Sequence, residues 1–62
     1  MNTYMKEQIL NMINLTQSYE NACKLAALQK DGIINKEEAK TLQKIEKATD
    51  RYIKELRKII KE

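Results

Sequence analysis

Apolar side chains recur at three- and four-residue steps from about Thr3 to Lys30, and again from about Lys36 to Lys61. That spacing keeps one face of an α-helix apolar, so each stretch is predicted to be a helix. Between them lies Gly32, the only glycine in a chain without proline. Glycine takes the left-handed conformation that closes a helix at little cost. With Gly32 as the closing residue, Leu28 and Ile33 are placed to touch across a Schellman cap. Asn35 is then the N-cap of the second helix. Glu38, three residues on, completes a capping box in its asparagine form. Residues 31–35 are thus a turn, and residues 1–62 form one helical-hairpin domain.

A heptad alignment sharpens this picture. Its a and d positions are Ile9, Met12, Thr16, Tyr19, Cys23 and Ala26 in the first helix. In the second they are Leu42, Ile45, Thr49, Tyr52, Leu56 and Ile59. Folding back at the turn pairs Ala26 with Leu42, Cys23 with Ile45, Tyr19 with Thr49, Thr16 with Tyr52, Met12 with Leu56, and Ile9 with Ile59. Each pair of residue numbers sums to 68. Large faces small in half of these layers, as interdigitating packing requires. The expected fold is all-α: an antiparallel, coiled-coil-like two-helix hairpin. Cys23 is expected to fill a core position as a small hydrophobe. Tyr19 and Tyr52 are expected in the middle layers, with their hydroxyls at the bundle edge.

Two helices cannot cover all the apolar residues. Leu15, Ala22 and Leu25 line one flank of the first helix, and Ala39, Ile53 and Ile60 one flank of the second. Leu10, Ile13 and Ala27 add to the surplus. A stripe this wide marks an interface. The economical partner is a second copy, giving a homodimeric four-helix bundle. A helix or groove of another protein is the alternative partner.

Length supports the need for one. A 62-residue chain buries only about 60% of its unfolded surface. With one cysteine and no histidine, neither an intrachain disulfide nor a zinc site can reinforce it. A lone thiol fits a reducing compartment. No apolar run reaches membrane-spanning length, and the N-terminus lacks the features of a signal peptide. A cytoplasmic location is the expectation. The ten lysines against two arginines, with abundant Ile and Asn, suit an AT-rich coding sequence of a low-GC bacterium, its phage or a plasmid.

Catalysis finds no support among these residues. There is no histidine for proton transfer, no serine or cysteine beside a base, and no glycine-rich phosphate loop. Glu37 and Glu38 are adjacent carboxylates, but at a helix start they act as caps and complement the helix dipole. Asp31, Gly32, Ile34 and Glu38 resemble the second half of an EF-hand loop. The earlier ligand positions fall on Ala27 and Gln29, which cannot supply the charge. No catalytic, metal-binding or cofactor-binding residue is assigned, and no small-molecule substrate is expected.

Charge is uneven. The net +3 lies wholly in residues 36–62. Lys40, Lys44, Lys47, Arg51, Lys54, Lys58 and Lys61 form a stripe opposite the core, about 30 Å long at 1.5 Å per residue. Such a stripe can track a phosphate backbone. It is also what a solvated helix face looks like when Asp50–Lys54 and Glu55–Lys58 pair along it. The outer face of the first helix is different: Asn11, Asn14, Gln17, Ser18 and Asn21 make it polar and nearly uncharged. Asparagine is a poor mid-helix residue, so this face too is a candidate contact surface.

A dimer of hairpins of this length resembles the Rop-type plasmid regulators in shape, though no motif residue is matched. That likeness implies RNA binding through paired helices. The functional expectation is a small non-enzymatic regulatory or adaptor protein, such as a phage- or plasmid-encoded inhibitor, acting through helical faces. The alternative is a nucleic-acid-binding accessory protein using the basic stripe.

Overall fold

The computed structural model describes residues 1–29 and 31–61. Two helices, α1 (Thr3–Leu28) and α2 (Lys36–Lys61), pack against each other as a hairpin. No described helix is long and apolar enough to cross a membrane.

Local sequence explains where each helix starts and stops. Asn2 opens α1, its side-chain oxygen accepting from the Met5 amide at 2.8 Å. Gly32 sits at φ 74°, and its amide donates to the Leu28 carbonyl at 2.8 Å. This single bond is the simpler left-handed cap. The expected Schellman bond does not form: the Ile33 amide turns instead to the Asp31 carboxylate at 3.1 Å, and Ile33 stays exposed. The capping box of α2 is complete. Glu38 donates its amide to Asn35 Oδ1 at 2.8 Å, and Asn35 donates its own to Glu38 Oε1 at 3.2 Å.

The seam differs from the heptad alignment. The buried side chains are Ile13 (5% exposed), Ile53 (8%) and Leu56 (7%), with Ile9 and Ile60 packed against them. Tyr19, expected in the seam, is 70% exposed, and Met12, Cys23, Ala26, Tyr52 and Ile59 are exposed as well. Shielded positions on α1 run Ile9, Ile13, Thr16, Glu20 and Ala27. On α2 they run Leu42, Ile45, Thr49, Ile53, Leu56 and Ile60. Each line advances 18 residue steps in five turns, the 3.6-residue period of a straight helix rather than the 3.5 of a supercoil.

Thr49 shows the new register directly. Its hydroxyl donates to Glu20 Oε1 at 3.0 Å and lies 3.0 Å from the Glu46 carbonyl. Glu20 and Thr49 sum to 69, as do Ile9 with Ile60, Ile13 with Leu56, Thr16 with Ile53, and Ala27 with Leu42. The physical reason is the choice of side chain for a narrow seam. Turning each helix by about one position brings Ile13, Ile53 and Ile60 inward. It leaves the tyrosines at the edge, where their hydroxyls keep water.

Candidate interaction surface

The hairpin is one helix thick. Its Cα atoms span 46 × 17 × 7 Å, with a radius of gyration of 14.6 Å. A globule of this length would have a radius near 10.6 Å. Both broad sides of the pair are therefore open, and the seam lines the floor of a groove on each.

Helical geometry assigns residues to these sides. At about 100° per residue, Met5, Met12, Tyr19 and Ala26 lie along one flank of the α1 seam. Thr41, Ala48, Tyr52 and Ile59 lie along the corresponding flank of α2. Chain reversal brings the two flanks onto the same broad side. The groove linings agree: a 320 Å³ groove near the turn is lined by Cys23, Ala26 and Ala27 from α1 and by Glu38, Thr41, Leu42 and Ile45 from α2. The opposite side carries a 340 Å³ groove lined by Leu10, Asn14 and Gln17 with Arg57 and Lys61. One broad side is thus mainly apolar, with Glu38 as the charged residue in its groove, while the other is amide-rich and cationic.

The apolar side also tapers. Met5, Met12, Tyr19, Tyr52 and Ile59 cover its middle and its open end, where the α1 N-terminus meets the α2 C-terminus. Cys23, Ala26, Thr41 and Ala48 leave the turn end shallow, and the 320 Å³ groove lies there. Cys23 is a free, exposed thiol, not the buried core residue expected from the heptads.

The predicted interface residues divide. Leu15 (57% exposed) and Leu25 (65%) are open to solvent, and Ala22 is exposed beside them. Ala39 is half-buried. Ile53 is buried in the hairpin's own core and Ile60 packs against it, so neither belongs to a leftover flank. The 3.6-residue period carries both into the seam. The surface residues missed by the heptad reading are Met12, Tyr19, Tyr52 and Ile59. The signal available for them was the same periodicity, counted at 3.6 instead of 3.5.

The basic stripe is where the sequence places it. Lys40, Lys44, Lys47, Arg51, Lys54, Lys58 and Lys61 are all exposed along the back of α2. Lys47, Arg51, Lys54 and Lys58 surround a shallow 400 Å³ depression that also contains Asp50 and Glu55. Glu55 pairs with Lys58 at 3.7 Å. The Asp50–Lys54 pair does not close within 4 Å among the described residues. On α1, Asn11, Asn14, Gln17, Ser18 and Asn21 are exposed. Compared with known proteins, the chain matches no family model, no curated protein and no solved structure.

Proposed function

We propose that this chain is a non-enzymatic regulatory or adaptor protein that works by docking its helical faces onto protein surfaces. The observation that carries this reading is the exposed apolar side centred on Met12, Tyr19, Tyr52 and Ile59. A patch of that size left in water is a liability unless a partner covers it. The first use of the side is self-association into a four-helix bundle. A client protein then meets what stays exposed, including Leu15 and Leu25. A cytoplasmic setting and a bacterial, phage or plasmid origin complete the proposal.

A second reading follows from the basic depression around Lys47, Arg51, Lys54 and Lys58: an accessory protein that binds a nucleic-acid backbone. Asp50 and Glu55 within the same depression weaken its field, which places this reading second.

Affinity capture from host lysate, with and without nuclease, separates the two. The wild type is compared with Leu15→Glu/Leu25→Glu and with Lys47→Glu/Arg51→Glu/Lys54→Glu. Protein docking predicts a captured partner that survives nuclease and the lysine changes but is lost with the leucine changes. The reverse pattern, with capture falling steeply between about 50 and 200 mM salt, overturns it in favour of nucleic acid.

A further inference from the structure

We infer that the groove on the amide-rich side takes an acidic amphipathic helix of another protein. The inference rests on reading the chain as a protein-docking module, and it names the surface used and the chemistry of the client. The groove has a volume of 340 Å³. Its floor is Leu10, the buried Ile13 and Ile60. Its banks are Asn14 and Gln17 on α1 and Arg57 and Lys61 on α2. Leu10 is 47% exposed on that floor.

Charge sets this groove apart from the other two. The turn-end groove on the apolar side contains Glu38 and no cation. The depression on the back of α2 sets its cations beside Asp50 and Glu55 and has no apolar residue in its lining. The amide-rich groove joins an apolar floor to two cations, with no carboxylate in its described lining. Among the described residues the ion pair formed is Glu55–Lys58, so the Arg57 guanidinium keeps its donors for a ligand. At about 100° per residue, Glu46 follows on the same side toward the turn. The anion-seeking part is therefore the open-end half, where Arg57 and Lys61 stand.

The cations select a carboxylate and the floor selects apolar side chains. A nucleic-acid backbone satisfies the first and leaves Leu10 and Ile60 without a partner. An amphipathic helix satisfies both, with apolar residues at three- and four-residue steps and carboxylates on the adjoining strip. It also brings no unmatched backbone groups to an apolar floor, because its own N–H and C=O groups are paired internally. From Leu10 to Gln17 the lining advances seven residues, about 10.5 Å or two helical turns. Two apolar anchors one turn apart fill that length. The client's carboxylate then lies against Arg57, which can hold it through two parallel N–H···O bonds where a lysine offers a point charge. The chain has two arginines against ten lysines, and one of the two stands on this bank.

The experiment is selection from a displayed library of single-helix peptides. Leucines are fixed at three- and four-residue spacing and the flanking positions are randomised. The inference expects Asp or Glu to be enriched on one flank. Affinity of the top peptide is then read by fluorescence anisotropy at about 0.15 M salt, where distant charges are screened. Arg57→Glu/Lys61→Glu should weaken binding about tenfold or more, the loss of a close interfacial charge pair. Replacing the peptide's carboxylates by lysine should restore binding to that variant. Leu10→Glu should also weaken binding, while Lys47→Glu/Arg51→Glu/Lys54→Glu leaves it unchanged. Enrichment of Lys or Arg, no preference on the flank, or indifference to the Arg57/Lys61 reversal overturns the inference. Loss of binding in Tyr52→Glu/Ile59→Glu instead moves docking to the apolar side; it overturns the groove and leaves the docking reading standing. Displacement of the peptide by single-stranded RNA, abolished in Arg57→Glu/Lys61→Glu, overturns the protein occupant in favour of nucleic acid. A changed sedimenting mass of that variant makes the groove a contact between copies and overturns the client. Arg57 and Lys61 are exposed, and circular dichroism matching the wild type shows that the reversal leaves the hairpin folded. The docking reading itself fails only in the capture experiment.

Discussion

Ile53 and Ile59 are the same side chain on the same helix, six residues apart, and the structure assigns them opposite roles. Ile53 is 8% exposed in the seam, whereas Ile59 is 41% exposed on the apolar side. Truncation to alanine removes three carbons, worth about 2.4 kcal/mol if fully buried at ~0.8 kcal/mol per methylene. At Ile53 nearly all of that is lost, and a cavity opens among Ile13, Leu56 and the seam. The expected cost is about 3 kcal/mol. At Ile59 roughly three-fifths of the transfer term applies and no cavity closes, so the cost within one hairpin is about 1–1.5 kcal/mol. A chain of this length has a total stability of about 3–9 kcal/mol, so Ile53→Ala removes a third or more. Urea melts followed by circular dichroism measure both. With a slope near 1 kcal/mol per molar, the Ile53→Ala midpoint falls by about 3 M, and Ile53→Val, costing about 1 kcal/mol, gives a graded intermediate. The two variants also differ in concentration dependence. The Ile53 loss is expected at every dilution, while the proposed self-association through the apolar side makes the Ile59 loss alone grow with concentration. An Ile59→Ala cost exceeding that of Ile53→Ala at the lowest concentration would refute the observed seam and restore the heptad one.

Other substitutions probe single contacts. Gly32→Ala meets no atom within 4 Å of the added Cβ, so its whole effect is left-handed backbone strain at φ 74°; thermal melts should show a loss of about 1–2 kcal/mol. Asn35→Ala removes the oxygen that accepts from Glu38 and should cost about 1 kcal/mol in the same assay, with an unchanged melt excluding the capping box as a stabiliser. Glu20→Leu replaces a half-buried carboxylate in the seam by an apolar side chain. It should raise the urea midpoint by roughly 1 kcal/mol equivalent, and a lower midpoint would mean that the Glu20–Thr49 bond outweighs the gain.

Much of this molecule is local, and local features are legible in a sequence. Two helical stretches, a single glycine between them and the Asn35–Glu38 pair are each written within a few residues, and hydrogen bonds of that range form wherever the backbone is helical. The basic stripe is equally local, since a step of three or four residues puts its members on one face of α2 whatever α2 packs against. The facing of the two helices is of another kind. Apolar residues occupy so much of α1 that both the Ile9–Met12–Thr16–Tyr19 line and the Ile9–Ile13–Thr16–Glu20 line are plausible seams in sequence. The two lines differ by about one position, so periodicity alone leaves the rotation of α1 open. Tertiary packing decided it by comparing what each rotation buries. Branched aliphatics fill the seam, Glu20 finds the Thr49 hydroxyl, and Tyr19 and Tyr52 remain at the water's edge. That comparison involves both helices at once, and it determined which apolar residues were left facing outward.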